Sequence, residues 1–500
     1  MNKELGELKE RLVEIHDLHS AIAVLDWDQQ VNMPAAGAEG RANQLSLLSR
    51  LSHEKFVDGR IGELLESLKA FTDGLDPESD EASLVKVTRR EYDRNVKVPS
   101  SFVAEFTRTT SNAHVEWEKA KSASSFSLFQ PWLEKIFDLR REYAGFFAPY
   151  DHIYDPLLAE FEPGLKTAEV KEIFAKVRPA QVELIREIGQ CPEIDDSFLH
   201  QMLDPQKQWE LGVEASASIG FDWSRGRQDR SVHPFTTTFD LNDVRITTRI
   251  MPDNFASGFF STMHESGHAM YEQGISPSLR HTPLCTGASL GIHESQSRLW
   301  ENLVGRSFDF WVFFYPHLRT KFPGSFDNVS LKDFYRGINR VRRSLIRTES
   351  DEATYNLHIM LRLEIEISVL EGRVAVRDLP EIWNARMEEY LGVVPDNDAR
   401  GILQDVHWAG GAVGYFPTYA LGNMISAQIW ECVNRDIPDL PEKIRQGSFN
   451  ELRGWLASNI YRHGAKFEPQ ALVQKVTGSK IDPAAYIRYL NRKYKEIYSL

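Results

Sequence analysis

Residues 264–268 read HESGH, which places two histidines and one glutamate within a single short segment. On an α-helix, side chains four positions apart lie on the same face, so His264 and His268 can present two imidazole nitrogens to one metal ion. In peptidases with the H-E-x-x-H motif, the glutamate takes a proton from water that the metal activates. The segment therefore predicts a Zn²⁺ site with Glu265 as the general base. The alternative is two histidines that only share a helix face.

A zinc site of this type requires a third protein ligand. The metzincin pattern, with a third histidine in register after the motif, is absent from the sequence. A carboxylate from a second helix would instead complete a set of two histidines and one glutamate. Glu294 and Glu301 both follow the motif, and spacing alone leaves the choice between them open. His293 and Gln296, on either side of Glu294, are candidates for the hydrogen bonds that orient zinc ligands.

These residues need a rigid frame, and the dominant pattern of the chain is helical. Between Leu5 and Leu25 the apolar residues recur in steps of three and four, which predicts a long amphipathic helix that ends before Pro34. Long helices are also predicted after residue 330, and the last helix is expected to begin at Asp482-Pro483. The sequence thus predicts a mainly α protein.

One region departs from the helical pattern. Residues 231–250 are rich in β-branched side chains, and Asn242-Asp243 separates two such runs. This arrangement predicts a hairpin or small sheet just before the motif helix, which resumes from about Asp253. We therefore predict one large helical body, a single catalytic domain over residues 1–500, with one small β-sheet next to the zinc helix. Arg245 and Asp243 are expected to form a structural pair at this sheet.

The composition limits the possible partners and location. Of the 500 residues, 42% are hydrophobic, which is enough to bury a large core. A net charge of -14 argues against nucleic acid as a partner, because the backbone phosphates would be repelled. Three cysteines, no hydrophobic leader and no membrane-spanning stretch lead us to predict a cytoplasmic protein without membrane contact.

Six segments occur in an order that is typical of one known family. They are HPF at 233–235, DVRIT at 243–247, HESGH at 264–268, HESQ at 293–296, IRTESD at 346–351 and GILQDVHW at 401–408. In these segments, and in LDWDQ at 25–29, the chain resembles the thermostable, Taq-type zinc carboxypeptidases. The resemblance covers nearly the whole chain. Ser350 is a departure, since the family often has alanine at this position.

The resemblance implies a neurolysin-like helical peptidase fold with a deep substrate groove and zinc at its floor. The N-terminal helices, about residues 1–100, would form a wall or lid of the groove, and the active-site motifs would span residues 233–419. It further implies a homodimer that releases single amino acids from the free C-terminus of peptides, with broad specificity. It also favours Glu294 over Glu301 as the third zinc ligand.

The resemblance suggests which side chains would stabilise the oxyanion that forms during peptide hydrolysis. His407 and Tyr415 are the expected pair, because related helical peptidases place a histidine and a glycine-flanked tyrosine there. Tyr419 is the alternative phenol and a candidate for substrate binding. Gly414, directly before Tyr415, is expected to let this loop flex or approach the substrate closely.

A carboxypeptidase must also recognise a terminal carboxylate, and a guanidinium binds carboxylates through two parallel hydrogen bonds. The resemblance points to Arg347 for this role, whereas Arg342 and Arg343 are expected to be surface charges. His233 is expected to line the groove or to cap the hairpin. Gln404 is expected to contribute to the substrate pocket.

Two other functions remain open at this point. One is a helical zinc oligopeptidase or dipeptidase, which would share the groove but not the requirement for a free C-terminus. The other is a non-catalytic helical binding scaffold, which the presence of Glu265 beside both histidines disfavours. Co²⁺ is a possible substitute for Zn²⁺, because this ligand set accepts both ions.

Overall fold

The structure is a computed structural model, and it describes residues 2–500 apart from the side chains of Ala35, Ala38, Ala42 and Ala104. The helices are α1 (Lys3–Val31), α2 (Ala38–Phe56), α3 (Gly59–Ser67), α4 (Lys69–Thr72), α5 (Asp80–Asn95), α6 (Ser100–Ala123), α7 (Phe126–Gly145), α8 (Asp155–Leu158), α9 (Thr167–Ile188), α10 (Pro205–Ile219), α11 (Phe255–Gln273), α12 (Leu290–Arg298), α13 (Phe308–Lys321), α14 (Leu331–Ile338), α15 (Tyr355–Leu370), α16 (Leu379–Leu391), α17 (Pro417–Asp436), α18 (Leu440–Arg445), α19 (Asn450–Asn459), α20 (Pro469–Thr477) and α21 (Ala484–Tyr498). The strands are β1 (Gly226–Arg230), β2 (Thr236–Asp240) and β3 (Asp243–Thr248). The predicted mainly α fold with one small sheet is confirmed.

The first helix ends before Pro34, as predicted, and it begins directly after an N-cap residue, Asn2. The side chain of Asn2 accepts hydrogen bonds from the backbone N–H groups of Glu4 and Leu5, at 2.9 and 3.3 Å, which satisfies donors that a helix start leaves free. The apolar face of α1 is buried in a cluster shared with α3 and α5, which we call the N-terminal cluster. Its members from the rest of the chain are Leu68, Leu241, Ile275, Leu279 and Leu284.

The sheet has three strands, in the order β1-β3-β2, with β3 in the centre. Strands β2 and β3 pair antiparallel, which confirms the predicted hairpin, and β1 pairs parallel to β3. The sequence of β1, GRQDR, carries no β-branched residue, so local propensity did not indicate this strand. Arg245 donates to both carboxylate oxygens of Asp243 at 2.8 Å, which confirms the predicted structural pair.

The motif helix α11 lies against the sheet on one side and against α12 on another. It begins at Phe255, where the Asn254 side chain accepts from the N–H of Ser257 at 3.1 Å. Helix α12 continues directly into a π-helical segment, Leu299–Gly305, and also packs on α17. The buried helices α11, α12 and α17 therefore surround the predicted site. Among the helices of residues 2–500, none combines the length and apolar character that a bilayer crossing requires.

Candidate metal centre

Three side chains from two helices converge on one point. The Nε2 atoms of His264 and His268 lie 3.6 and 3.5 Å from the same carboxylate oxygen, Oε2 of Glu294. The two imidazole rings are 4.9 Å apart and nearly perpendicular, at 82°. A tetrahedral zinc ion with bonds of about 2.0–2.1 Å spaces its ligand atoms about 3.4 Å apart. The donor set and its spacing therefore fit a divalent metal such as zinc.

The outer nitrogens of both rings are held by neighbouring side chains. His264 Nδ1 lies 2.9 Å from Glu301 Oε2, so Glu301, the other candidate ligand, faces the far side of this ring. His268 Nδ1 lies 2.7 Å from Nδ1 of His293, whose Nε2 lies 2.8 Å from Glu272 Oε1. An ionised carboxylate only accepts hydrogen bonds, and each of these two hydrogen-bond paths ends at a glutamate. The ring protons of His264 and His268 therefore lie on the outer nitrogens, Nδ1. The two Nε2 lone pairs are thereby left for a metal.

Arg298, one helical turn after Glu294, stabilises the negative charge of that glutamate. Arg298 Nε donates to Glu294 Oε1 at 2.7 Å, and Arg298 Nη1 donates to Glu301 Oε2 at 3.1 Å. Burial alone would raise the pKa of Glu294, but the charge of Arg298, together with the adjacent imidazoles of His264 and His268, outweighs it and holds this pKa well below its usual range. Glu294 is therefore ionised and has Oε2 directed at the histidines.

Glu265 is oriented by the sheet rather than by its own helix. Thr236 Oγ1, on β2, donates to Glu265 Oε2 at 2.6 Å and also lies 3.1 Å from the backbone oxygen of Glu265. Burial raises the pKa of Glu265 above its ordinary value. A carboxylate with a raised pKa is a better proton acceptor near neutral pH. The position of Thr236 follows from the packing of β2 on α11, and no sequence pattern indicated it.

Two glycines allow the helices of the centre to approach one another. A Cβ at Gly267 would lie 2.6 Å from Cα of Ser297 and 2.7 Å from the backbone oxygen of Gln296. A Cβ at Gly422, on α17, would lie 2.5 Å from Cγ of Glu294. Gly267 therefore makes room for the backbone of α12, and Gly422 makes room for the side chain of Glu294.

We expect Gly267→Ala to lower the free energy of unfolding by about 1–3 kcal/mol, the usual effect of overpacking, because the added methyl group meets backbone. It should also weaken metal binding, because α12 carries Glu294 and must move away from α11. The matched control is Gly454→Ala, where a Cβ would meet no atom within 4 Å. Denaturant unfolding and metal content measure both effects, and equal stability of the two variants would contradict the close approach.

His407, Tyr415 and Tyr419 form a second group. Burial, and then the charge of the nearby Glu294, raises the pKa of Tyr415. His407 Nε2 lies 3.2 Å from the Tyr419 hydroxyl, and the rings of the two tyrosines are 5.1 Å apart. Burial lowers the pKa of His407 to about 3, so the imidazole is neutral at pH 7. The structure thus brings the three predicted residues together.

The turn before Tyr415 has a structural requirement for glycine. Gly414 has φ +105, a backbone conformation that other residues rarely adopt, and a Cβ there would lie 2.7 Å from the backbone of Leu157. The missing side chain of Gly414 admits the backbone of Leu157, and its expected part in loop flexibility or approach to the substrate stays a prediction.

Arg347 lies in a buried ion cluster. Its Nε donates to Asp405 Oδ1 at 3.0 Å and its Nη1 donates to the hydroxyl of Tyr355 at 2.9 Å. The other oxygen of Asp405 accepts from Arg362, which is fully buried. Gln404 holds the backbone at Arg347 in place, because its Oε1 accepts a hydrogen bond from the backbone N–H of Arg347 at 2.9 Å. Two guanidinium groups and one carboxylate leave an excess of one positive charge.

His233 lies at the edge of this cationic region. Partial burial and then the charges of Arg249, Lys121 and Arg347 lower its pKa. Ser231 Oγ donates to the backbone oxygen of His233 at 2.6 Å. In the hydrogen bonds of residues 2–500 the imidazole itself has no partner, so it does not cap the hairpin and is free to face the predicted substrate side.

Sequence reasoning named some of the neighbours of the metal ligands and missed others. His293 is in contact with a ligand, as expected, whereas Gln296 donates to Ser295 Oγ at 2.9 Å and to no ligand within residues 2–500. Arg298 was missed, although its position four residues after Glu294 is a recognisable helical pair. Glu272 was also missed, and it lies four residues after His268 on the same helix.

Comparison with known proteins agrees with this geometry. The sequence profile of the family described as Carboxypeptidase Taq (M32) metallopeptidase matches residues 7–494. Carboxypeptidase 1 of Bacillus subtilis is 38% identical over 501 residues, which cover 100% of this chain and 99% of that protein. Thermostable carboxypeptidase 1 of Thermus thermophilus is 40% identical over 491 residues, 96% of each chain.

A solved structure extends the similarity to the fold. The crystal structure of the M32 carboxypeptidase from Deinococcus radiodurans superposes with a TM-score of 0.97 at 38% identity, and the match covers 100% of both chains. The family match over residues 7–494, together with relatives of this identity, shows that this chain shares the architecture of the family. The chain therefore belongs to the Taq-type (M32) carboxypeptidase family and is a metallocarboxypeptidase, a hydrolase of peptide bonds that uses a divalent metal.

Proposed function

We propose that this chain is a zinc-dependent carboxypeptidase that releases single amino acids from free peptide C-termini, with His264, His268 and Glu294 as the zinc ligands. The observation that carries the proposal is the convergence of two Nε2 atoms on one oxygen of Glu294. When bound, zinc would polarise the scissile carbonyl and lower the pKa of water. Co²⁺ fits the same donors.

Glu265 would act as the general base and then as the general acid. Thr236 occupies its Oε2, so Oε1 is free to take the proton from the attacking water and to return it to the leaving amine. A raised pKa suits both steps, because the group must gain and lose a proton near neutral pH. The buried position of Glu265 also keeps bulk water away from the transferred proton.

Tyr415 and Tyr419 would supply hydrogen bonds to the oxyanion, together with His407. Burial raises the pKa of both phenols, so the hydroxyl groups keep their protons and remain donors. The neutral imidazole of His407 lies 3.2 Å from the Tyr419 hydroxyl and would orient it. Tyr415 is therefore the proposed hydrogen-bond donor to the oxyanion. His407 and Tyr419 would support it through their own hydrogen bond, and Tyr419 is the alternative donor.

Arg347 would bind the terminal carboxylate of the substrate. A guanidinium has five N–H donors, and the bonds to Asp405 and Tyr355 leave some of them free. The excess positive charge of Arg347 and Arg362 over Asp405 favours an incoming anion. His233 and Gln404 would border this pocket, and Gln404 would act through its hold on the backbone of Arg347.

The requirement for a free C-terminus tests the proposal directly. We expect Arg347→Ala to cost about 2–5 kcal/mol in kcat/KM with free-acid peptides, the usual effect of removing one partner of a buried charge pair. The matched control is Arg342→Ala, an arginine whose side chain is 60% exposed. Kinetics with paired peptides that end in a free acid or an amide measure the effect. The control should keep the wild-type preference for the free acid.

Two outcomes would count against the carboxypeptidase assignment. Rapid cleavage of amidated peptides by the wild-type protein would favour the oligopeptidase alternative, which needs no terminal charge. An unchanged ratio between free-acid and amidated substrates in Arg347→Ala would reject Arg347 as the carboxylate-binding residue. The homodimer, the single domain over residues 1–500 with an N-terminal wall or lid, and the cytoplasmic location stay predictions.

A further inference from the structure

A second cluster of metal-ligating side chains lies away from the first centre. His16 and Asp17 are on α1, and His281 follows the 3₁₀ turn Pro277–Leu279 in the segment between α11 and α12. Each of the three offers one ligand atom, and these atoms all lie within 4.8 Å of one another. The rings of His16 and His281 are 5.0 Å apart, close to the ring separation in the first centre.

The backbone at His281 is held in an unfavourable conformation. Its φ is +60, in the left-handed region that side chains other than glycine seldom adopt. Within residues 2–500 the other non-glycine residues with positive φ are Ser124 and Ser499, which are both α-helix C-caps. His281 instead follows the C-cap of the short 3₁₀ turn Pro277–Leu279. Arg280 anchors the turn through two hydrogen bonds to Asp240, at 2.7 and 2.8 Å. Neighbouring contacts thus hold the His281 ring beside α1.

The protonation and charge around the cluster suit a cation. Burial, and then the neighbouring His281, lowers the pKa of His16, so its imidazole is neutral near pH 7 and keeps a free lone pair. Asp17 adds a carboxylate, and Oδ2 of Asp240 lies 3.6 Å from His281 Nε2. The other nearby groups are Arg280, whose charge Asp240 pairs, and His19, whose pKa burial lowers.

We propose that His16, Asp17 and His281 form a second divalent-metal site, which takes zinc or a chemically similar ion such as Co²⁺ or Ni²⁺. A set of two imidazoles and one carboxylate suits such ions better than it suits Mg²⁺ or Ca²⁺, which favour oxygen ligands. Asp17 is exposed and both histidines are half-buried, so the site is more open to water than the first centre and binds more weakly.

A metal here would connect the N-terminal helix to the catalytic body. Ser20, one turn after His16 on α1, donates to the backbone oxygen of Phe239 at 2.7 Å, and Phe239 belongs to β2, the strand that also carries Thr236. His281 lies in the segment that joins the two helices of the first centre. The bound ion would therefore stabilise the junction between α1 and the part of the chain that positions the catalytic groups.

The test is a zinc titration of the dialysed protein, followed by metal analysis and thermal unfolding. We expect one tightly held equivalent, then a second, weaker equivalent that raises Tm. His16→Gln and His281→Asn should lose only the second equivalent and its effect on Tm, and both should keep wild-type activity at stoichiometric zinc. Asparagine suits position 281 because it tolerates the left-handed backbone. His114→Gln, an exposed histidine on α6, is the matched control and should behave as the wild type.

The outcomes separate this site from the first centre. Glu294→Gln should weaken the tight equivalent and keep the weaker one, since no residue is shared. Failure of the wild type to take up a second equivalent at micromolar zinc would overturn the second site without affecting the proposed function. Persistence of the second equivalent in both His16→Gln and His281→Asn would equally overturn it.

Discussion

Glu265→Gln is expected to keep its metal ion while kcat falls by roughly 10²–10⁴-fold or more, the range that general acid–base catalysis contributes. The amide has the size of the carboxylate, but it cannot take a proton from water. The ligands His264, His268 and Glu294 are unchanged, so metal affinity should be close to that of the wild type. Metal content per chain, measured beside the release of amino acid from a blocked dipeptide, checks both statements.

Thr236→Val is the informative companion to this variant, because it removes the hydrogen bond to Glu265 Oε2 and leaves the carboxylate in place. Hydrogen bonds to charged groups contribute about 1.5–3 kcal/mol, so we expect roughly a 10–100-fold loss of kcat, smaller than the loss in Glu265→Gln. Wild-type rates in Glu265→Gln with full metal content would refute its role as the base. Equal losses of kcat in the two variants would mean that the orientation of the Glu265 side chain, rather than its transfer of a proton, limits the reaction.

Glu294→Gln is expected to weaken metal binding by more than about 100-fold, beyond the roughly 10–100-fold that residues hydrogen-bonded to metal ligands contribute. The amide oxygen carries no full charge, and the buried Arg298 loses one of its two carboxylate partners. Competition with a chromophoric chelator measures the affinity, and activity should return at high zinc concentration if the fold is intact.

Glu301→Gln is the matched control, because Glu301 contacts the outer nitrogen of His264 and shares Arg298 with Glu294. We expect its metal affinity to fall by roughly 10–100-fold, less than in Glu294→Gln. If the two variants ranked in the opposite order, Glu301 would be the ligand and Glu294 the supporting residue. The pair therefore decides a choice that the spacing of the two glutamates left open.

Several parts of the fold were predictable because they depend on neighbours in sequence. The apolar steps from Leu5 onward repeat with the period of a helix, and α1 ends at Val31 as Pro34 requires. The β-branched runs around Asn242-Asp243 likewise predicted β2 and β3. Strand β1 was not predictable, since its polar sequence forms a strand only because β3 offers it an open edge.

In the candidate site, too, the sequence predicted some features and not others. The type and spacing of His264, Glu265 and His268 identified a metal-binding helix, because four residues make about one helical turn. The contact between Arg347 and Asp405 could not be foreseen, since the two residues are 58 positions apart in sequence. Their pairing changes the expectation for Arg347 from an isolated cation to one member of a buried cluster with an excess positive charge.

The sequence alone determined the chemical class of this protein: a helical metallopeptidase with a base beside two imidazoles, and, through its family motifs, a carboxypeptidase. Only the tertiary structure decided which carboxylate faces the Nε2 atoms, that Thr236 holds the base, and that His16 on α1 lies beside His281. The physical reason is that periodicity along the chain specifies the face of a helix. The distances between side chains of different helices depend on how closely those helices approach, which Gly267 and Gly422 set by leaving room for their neighbours.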